Sequence, residues 1–160
     1  YEIASCLVGS EMCIRDSELR DEADRMADYD KEIEVYASDI DPEMVEIAKR
    51  NAEEVGLGDI IQFNVKDVNT LTIDSEGPVA LVGNPPYGER IGDREEVEEM
   101  YRYIGSLMKQ HPYLSTYILT SNKEFEYLVN RKATKRRKLF NGYIECTYYQ
   151  YWGKKPDFKN

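Results

Sequence analysis

Hydrophobic and polar positions follow two different periods along this chain, and the two periods alternate. Residues 33–38 switch between apolar and polar side chains at almost every step, and residues 60–65 are short and β-rich, so each segment predicts a strand. Residues 78–83 form a nearly continuous apolar run, which is the pattern of a strand buried on both faces. A further strand is predicted at residues 115–120.

Apolar residues three and four positions apart predict helices between these strands. Residues 17–30 are polar with a thin apolar stripe, so we expect a surface helix there. A second helix should have Asp41 as its N-cap and Pro42 in its first turn, and should end before Gly56. A short helix is predicted at residues 122–130. The clearest helical stripe of the chain consists of Val97, Met100, Tyr101, Ile104, Leu107 and Met108.

The last part of the chain predicts an antiparallel hairpin. Asn141-Gly142 is a strong signal for a tight turn, and an aromatic-rich strand follows at residues 143–152. Strands that alternate with helices indicate the α/β class. We therefore predict a Rossmann-like, doubly wound and mostly parallel sheet that finishes in a C-terminal antiparallel hairpin.

Length and composition fit one soluble domain. The chain has 160 residues, of which 41% are hydrophobic and 32% are charged. No apolar run approaches the ~20 residues that a membrane-spanning helix needs. The three cysteines, Cys6, Cys13 and Cys146, are an odd number without metal-ligand spacing. They favour a reducing cytoplasm over a disulfide framework, and we expect no metal site.

The charges of the chain are unevenly distributed. The formal net charge of −10 disfavours a nucleic-acid partner, yet one short segment is strongly basic and contains no acid. Such a run is either a solvated face beside a strand or a patch that binds phosphates. Its members are Arg131, Lys132, Lys135, Arg136, Arg137 and Lys138.

Polar side chains stand at the ends of three predicted strands. These are Asp39, Asp67 and Asn84. In open parallel sheets, ligands bind beyond the carboxyl ends of the strands, so these residues are candidates for a binding site. A carboxylate there can accept the hydroxyl groups of a nucleoside ribose or the amino group of an adenine. Each acid can equally serve as a helix N-cap or a turn residue.

The tetrapeptide Asn84-Pro85-Pro86-Tyr87 is the most specific signal in the sequence. Two consecutive prolines fix the backbone and remove two N–H donors, so the carbonyl groups, notably that of Pro85, can face a substrate. The Asn84 side-chain oxygen can accept a hydrogen bond from an amino group, and Tyr87 can stack on a planar base. Two acceptors on one amino group orient its lone pair towards an electrophile, which is catalysis by positioning and by charge stabilisation.

This tetrapeptide resembles the catalytic motif of amino methyltransferases, which act on adenine N6, guanine N2 or protein glutamine. The wider string at residues 83–90 and the tail at residues 131–142 are similar to the bacterial THUMP-domain family of 23S ribosomal RNA guanine-N2 methyltransferases. Ser38-Asp39-Ile40-Asp41-Pro42 also fits that family. The resemblance runs from about Ser17 to Lys155.

The resemblance implies transfer of a methyl group from S-adenosylmethionine to the exocyclic N2 amine of a guanine in 23S ribosomal RNA. The catalytic residues would be Asn84, Pro85, Pro86 and Tyr87, with Asn84 and the Pro85 carbonyl holding the amine. Tyr87 would stack on the flipped base, because the amine cannot meet a buried methyl donor inside a duplex.

The resemblance also implies the cofactor and RNA contacts. Asp39 would hold the ribose of S-adenosylmethionine, with Ile40 packing near the adenine. Asp67 would contact the adenine amino group with Val68 beside it, and Asn84 would border the cofactor. The basic run, Arg131, Lys132, Lys135, Arg136, Arg137 and Lys138, would bind phosphates of large-subunit ribosomal RNA in the cytoplasm.

The chain departs from the family pattern at its start. The family carries a glycine-rich loop, Asp-Pro-x-Cys-Gly-Ser-Gly-Thr, after its first strand, and Gly9-Ser10 is the nearest trace of it here. Residues 6–17 resemble translated sequencing-adapter read-through. We therefore interpret residues 1–17 as a non-native leader, which could pair at exposed strand edges, and residues 18–160 as a partial methyltransferase domain. With the first strand and glycine loop missing or replaced, we expect weak cofactor binding and little or no activity.

Other functions remain open at this stage. The tetrapeptide alone also fits adenine-N6 methylation in DNA or RNA, whereas Gly88-Glu89-Arg90 and the basic run favour guanine in ribosomal RNA. Protein glutamine methylation is a further variant, and the basic run argues mildly against it. A non-catalytic RNA-binding fragment would explain the basic run and the 11% aromatic content but not the tetrapeptide. A nicotinamide-binding dehydrogenase is disfavoured, because no Gly-x-Gly-x-x-Gly follows any predicted strand.

Overall fold

Strands and helices alternate along the chain, as the α/β prediction requires. The structure is a computed structural model and describes residues 11–26, 33–87 and 93–155. No helix in these ranges is both long enough and apolar enough to span a membrane. The helices are α1 (Glu11–Met26), α2 (Pro42–Glu54), α3 (Asp93–Gln110) and α4 (Phe125–Leu128), with a single 3-10 turn at Val68–Thr70. The strands are β1 (Val35–Asp39), β2 (Ile61–Val65), β3 (Val79–Gly83), β4 (Leu114–Thr120), β5 (Lys135–Asn141) and β6 (Ile144–Tyr151).

The strands form two groups. β1 pairs in parallel with β2, and Asp39 lies opposite Val65. The other four strands are hydrogen-bonded in the order β3-β4-β6-β5, with β3 parallel to β4 and β6 antiparallel to both of its neighbours. Within the described ranges no strand pairing joins β1 to β3. The predicted α/β fold with parallel strands and a C-terminal antiparallel hairpin is confirmed, and two of the four strand pairings in the described ranges are parallel.

The second helix begins and ends where the sequence predicts. The Asp41 carboxylate accepts a hydrogen bond from the backbone N–H of Glu43 at 2.8 Å, and Pro42 occupies the first turn. Gly56, just past the end of α2, has φ +75°, a backbone conformation that glycine adopts without a steric penalty. Asp41 thus satisfies one of the N–H groups that helix starts leave free, which stabilises a helix by typically ~1 kcal/mol.

The hydrophobic core lies on one face of the four-stranded sheet, under α3 and α4. The ring of Phe125 contacts Tyr101 edge-on at 4.8 Å between centroids and meets Tyr149 at 4.9 Å. Most members of the predicted α3 stripe are buried there, and Met100 packs against them half-buried. The buried cluster comprises Val97, Tyr101, Ile104, Leu107, Met108, Leu114, Ile118, Phe125, Leu128, Val129, Tyr149 and Tyr151.

Two predicted helix boundaries were wrong. The first helix begins at Glu11 rather than at residue 17, and residues 27–30 of the predicted segment lie outside the described ranges. The helix predicted at residues 122–130 shrinks to four residues, Phe125–Leu128, because turns occupy both flanks. The predicted pairing of the leader cannot hold for residues 11–17, which are helical, and residues 1–10 lie outside the described ranges.

The prediction that β3 is buried on both faces was also wrong. The Val82 side chain is 72% exposed, and it lies opposite Tyr117 on the face of the sheet that α3 and α4 do not cover. A continuous apolar run does not show whether one or both faces of a strand are buried, because it lacks the two-residue alternation that marks a solvent-facing side.

The hairpin is confirmed, but its turn is shifted by one residue. Asn141 is the last residue of β5 and pairs with Ile144, so that the two turn residues are Gly142 and Tyr143. Gly142 has φ +61°, which suits glycine at the first turn position of a two-residue hairpin. The shift leaves the Asn141 side chain free for a role outside the turn.

Candidate active site

The Asn84-Pro85-Pro86-Tyr87 loop leaves the sheet directly after β3. Thr120 ends the neighbouring strand β4, so the loop starts at the carboxyl edge of the two parallel strands. Asn84 and Pro86 are exposed, whereas Pro85 and Tyr87 are half-buried. The predicted catalytic tetrapeptide therefore lies at the edge where open parallel sheets bind their ligands.

A buried tyrosine of α3 anchors the middle of this loop. The Tyr101 hydroxyl donates to the Pro86 carbonyl at 3.1 Å and lies 2.9 Å from the Thr120 hydroxyl oxygen. The backbone N–H of Asn122 in turn donates to that Thr120 oxygen at 3.1 Å. Because Tyr101 has one proton and gives it to a carbonyl, Thr120 must donate to Tyr101. Burial raises the pKa of the Tyr101 hydroxyl, which keeps this proton in place.

The second anchor is the hydroxyl of Tyr87. It donates to the side-chain oxygen of Asn84 at 2.9 Å and accepts a hydrogen bond from the Asn141 side-chain amide at 3.0 Å. The Cys146 thiol also donates to it at 3.5 Å. Burial and the neighbouring Cys146 raise the pKa of Tyr87, so the hydroxyl stays a neutral donor. The β5–β6 hairpin thus fixes the orientation of the Asn84 carboxamide through Tyr87.

Four residues that hold this candidate site were not among the site residues predicted from the sequence: Tyr101, Thr120, Asn141 and Cys146. Tyr101 fell into an apolar helical stripe, and Thr120 was read only as the end of a strand. The Asn-Gly pair placed Asn141 in the turn itself. A polar residue at the end of a strand was the one available signal, and it applied to Thr120.

A small cavity opens beside Tyr87. Its volume is about 240 Å³, and it lies between the tyrosine and the start of α3. It is lined by Tyr87, Arg94, Val97, Asn122, Lys123 and Glu124. The cavity gives a planar group space next to the predicted stacking residue.

Asp39 and Asp67 lie together at the carboxyl edge of the two-stranded sheet. Asp39 ends β1, and Asp67 follows β2 by two residues. Each caps a local turn: Asp39 accepts from the Asp41 N–H at 2.9 Å, and Asp67 accepts from the Asn69 N–H at 2.8 Å. Only the Oδ1 atom of each carboxylate takes part in these bonds. The capping role and a binding role are therefore compatible for both residues.

The segment after Asp67 contains an unsatisfied acceptor. The side-chain oxygen of Asn69 is buried and has no hydrogen-bond partner within the described part of the chain. The Tyr103 hydroxyl of α3 holds the same segment by donating to the Leu71 carbonyl at 2.7 Å. Ile40 is 68% exposed and Val68 is half-buried, so both have surface for a ligand. Carboxylates with free oxygens and an orphaned amide oxygen suit a ligand rich in hydroxyl and amino donors, as a nucleoside is.

The structure does not join all the predicted site residues. Asn84, Pro86 and Tyr87 share one hydrogen-bonded network with the hairpin and α3. No hydrogen bond between described residues links Asp39 or Asp67 to that network.

The basic run starts in the turn before β5 and continues along that strand. All six of its residues are exposed, so this edge strand presents lysine and arginine side chains on both faces of the sheet. Arg136 pairs with Glu126 at 3.2 Å and Lys138 pairs with Glu145 at 2.6 Å. The other four, Arg131, Lys132, Lys135 and Arg137, form no ion pair with the residues that the structure describes.

Comparison with known proteins decides the family. The family described as UPF0020, RMKL-like, methyltransferase domain, matches residues 3–150. The chain belongs to this family. An RMKL-like methyltransferase domain agrees with the loop after β3 and with the polar residues at the strand ends.

Curated relatives are considerably longer than this chain. It is 53% identical over 133 residues to a Bacillus subtilis (strain 168) protein named "Putative RNA methyltransferase YpsC", covering 83% of this chain and 34% of that protein. It is 40% identical over 118 residues to Ribosomal RNA large subunit methyltransferase K/L of Shewanella baltica (strain OS155 / ATCC BAA-1091), covering 73% of this chain and 16% of that protein. The chain thus spans about a third or less of these relatives.

Two crystal structures share the fold and part of the sequence. SMU.472, solved in complex with SAH, has a TM-score of 0.75 at 36% identity, with 92% of this chain and 38% of that chain covered. A predicted N6-adenine-specific DNA methylase from Listeria monocytogenes str. 4b F2365 has a TM-score of 0.72 at 42% identity, with 86% and 35% covered. These similarities confirm the predicted class I methyltransferase fold.

Proposed function

We propose that this chain is part of an enzyme that transfers a methyl group from S-adenosylmethionine to the exocyclic N2 amine of a guanine in large-subunit ribosomal RNA. The observation that carries the proposal is the anchored Asn-Pro-Pro-Tyr loop. Tyr101 donates to the Pro86 carbonyl, no described residue donates to the Pro85 carbonyl, and Asn84 is exposed with its side-chain oxygen held by Tyr87.

The target amine would be held by two acceptors. The Asn84 side-chain oxygen has a second lone pair besides the one that Tyr87 engages, and the Pro85 carbonyl supplies the other acceptor. Two hydrogen bonds from one amino group fix its nitrogen and direct its lone pair outwards. The cavity of about 240 Å³ beside Tyr87 would receive the flipped base against the tyrosine ring.

The cofactor would be held at the neighbouring edge. Asp39 would accept the ribose hydroxyls and Asp67 the adenine amino group, each through the oxygen that its turn leaves free. Ile40 and Val68 would pack against the adenine. Bound S-adenosylmethionine would supply an electrophilic methyl group on a positively charged sulfur and would leave as S-adenosylhomocysteine when the carbon–sulfur bond breaks. The amine nitrogen would gain the methyl group and release one proton to solvent.

Ribosomal RNA is favoured as the substrate by two observations. The K/L relative is named a ribosomal RNA large subunit methyltransferase, and the Bacillus relative carries an RNA methyltransferase name. The exposed lysine and arginine side chains of β5 lie on the same strand as Asn141, which belongs to the loop network, so this strand would carry phosphate contacts towards the flipped base.

The test is transfer of a tritiated methyl group from S-adenosylmethionine to large-subunit ribosomal RNA, followed by digestion to nucleosides. It uses this chain and a longer version in which a family-type first strand and glycine-rich loop precede it. We expect N2-methylguanosine from the longer version and a loss of about a hundredfold or more in rate for Asn84→Ala, as for a lost charge-stabilising group. No product from the longer version, or an Asn84→Ala variant of full activity, contradicts the proposal.

Adenine N6 is the second candidate, because the Listeria structure is that of a predicted N6-adenine-specific DNA methylase. The same digest separates the two substrates, since N6-methyladenosine and N2-methylguanosine are different products. Parallel reactions with DNA identify a DNA substrate.

A further inference from the structure

A basic cavity lies at the opposite edge of the sheet from the Asn-Pro-Pro-Tyr loop. Its volume is about 370 Å³. Because β6 runs antiparallel to β4, its last residue Tyr151 lies beside Thr116 near the start of β4, whereas the loop network contacts Cys146 near the start of β6. Trp152 follows Cys146 by six steps of extended chain, which span about 20 Å. The cavity is lined by Met108, Lys109, Pro112, Arg131, Trp152, Gly153 and Lys154.

The lining of this cavity is unusual for a chain with a net charge of −10. Lys109, Arg131 and Lys154 contribute three positive charges, and no lining residue is acidic. None of the three forms an ion pair with a residue in the described ranges. Lys109 lies in the last turn of α3, where it also offsets the negative end of the helix dipole. The Arg131 guanidinium lies over the Tyr151 ring at 5.9 Å from its centroid, whereas Lys154 has no cation-π or ion-pair contact with the residues that the structure describes.

Trp152 presents an aromatic surface on a firmly held segment. Trp152 is 53% exposed, yet its backbone N–H donates to the Thr134 hydroxyl at 3.1 Å. The next two N–H groups donate to the Ser115 hydroxyl at 3.0 Å and to the Pro112 carbonyl at 2.8 Å. A Cβ atom at Gly153 would lie 2.6 Å from the Tyr113 backbone, so the segment approaches as closely as glycine allows. The Trp152 side chain is therefore exposed to solvent while its backbone is held in place.

Cations beside an exposed, fixed aromatic ring are what single-stranded nucleic acid requires. The phosphates pair with the positively charged side chains, and a nucleobase stacks on the aromatic ring. An acidic peptide would use the cations but leave the tryptophan without a partner. The unpaired Lys135 and Arg137 of β5 lie between this cavity and the loop network, so positive charge continues from one to the other. About six stacked nucleotides, at ~3.4 Å each, would cover the 20 Å separation.

We propose that this cavity is a second RNA-contact site, in which one nucleobase stacks on Trp152 and the flanking phosphates bind Lys109, Arg131 and Lys154. The proposal rests on the RNA substrate of the proposed function, and it adds a site about 20 Å from the methylated base. It assigns a binding role to Lys109, Trp152 and Lys154, which lie outside the basic run that the sequence singled out.

The unmodified chain supplies its own reporter, because Trp152 is its one tryptophan. Titration with a single-stranded RNA octamer should quench the tryptophan emission in a saturable and salt-sensitive manner. Trp152→Leu should weaken binding of a fluorescein-labelled octamer, measured by anisotropy, by about fivefold or more, as expected for one lost stacking contact. RNA binding without any change in tryptophan emission overturns the proposal. So does quenching by polyglutamate and not by RNA, which would indicate an acidic protein partner.

A pair of matched variants separates this site from general charge effects. Lys109→Gln with Lys154→Gln should reduce the slope of log affinity against log salt by about 1.4, or ~0.7 for each phosphate contact on a single strand. Lys49→Gln with Arg50→Gln removes the same charge from exposed positions of α2 and should leave the slope unchanged. Equal slopes for both pairs contradict the proposal. Failure of methyl transfer to RNA would instead refute the proposed function, since the binding assays need no cofactor.

Discussion

Removal of the Tyr101 hydroxyl tests how the Asn-Pro-Pro-Tyr loop is held. Tyr101→Phe keeps the buried ring and its edge-on contact with Phe125 but deletes the atom that joins the Pro86 carbonyl to Thr120. The variant therefore creates almost no cavity, and its effect reports on the two hydrogen bonds alone.

The expected loss of stability follows from the burial of the two partners. Pro86 is exposed, so its carbonyl can turn to water and only the net hydrogen bond, ~0.5–1.5 kcal/mol, is lost. Thr120 is 0% exposed, so its hydroxyl loses its acceptor without access to water, which costs ~1–3 kcal/mol. The sum is about 1.5–4.5 kcal/mol. Tyr103→Phe is the matched control on the same helix: it loses one bond to a half-buried carbonyl and should cost only ~0.5–1.5 kcal/mol.

Urea unfolding followed by circular dichroism measures these differences. A double-mutant cycle with Thr120→Val should give a coupling energy of about 1 kcal/mol, because the two single variants remove the same bond. Additive effects, or equal losses in Tyr101→Phe and Tyr103→Phe, would refute the hydrogen-bonded relay described for the loop.

Three further predictions concern the fold around the site. Gly105→Ala should destabilise the chain by ~1–3 kcal/mol despite the better helix propensity of alanine, because its Cβ would lie 2.5 Å from the Val129 carbonyl oxygen; an unchanged urea midpoint would contradict this. Asp41→Ala should cost about 1 kcal/mol through loss of the N-cap, whereas Asp41→Asn should cost clearly less, in the same assay. Between pH 8 and 9 stability should be constant, and it should fall above pH 10, because burial raises the pKa of Tyr87 and Tyr101 above the usual 10.0, so the folded chain binds more protons than the unfolded chain there. Midpoints measured from pH 8 to 11 check this, and a flat profile, or one of equal slope in Tyr101→Phe, would count against it.

Local chemistry made much of the fold predictable. The start of α2 followed from Asp41-Pro42, and the C-terminal hairpin followed from the Asn-Gly signal and an aromatic strand. The α3 stripe gave most of the buried cluster, because residues three and four apart share one helix face. Each of these features depends on residues that are close together in the sequence, so each can be predicted from a single sequence.

Features that depend on tertiary packing were not predictable in this way. The exposure of Val82 depends on which face of the sheet the helices cover, and the one-residue shift of the hairpin turn depends on strand register. Tyr101 and Asn141 joined the site only because the fold brings α3 and β5 to the loop, across 15 and 54 residues of chain. The candidate motif was visible in the sequence, but the residues that hold it were not.

Binding of S-adenosylmethionine at the polar strand ends is the property on which a methyltransferase role for this chain depends most. Calorimetric titration of the cofactor into the longer version with a family-type first strand and glycine-rich loop tests it most directly, with Asp39→Ala and the exposed Asp59→Ala as matched variants. We predict saturable binding that Asp39→Ala weakens at least tenfold, as expected for lost hydrogen bonds to a charged group, and that Asp59→Ala leaves unchanged. Absence of binding in the longer version, or equal affinity in both variants, would contradict the account.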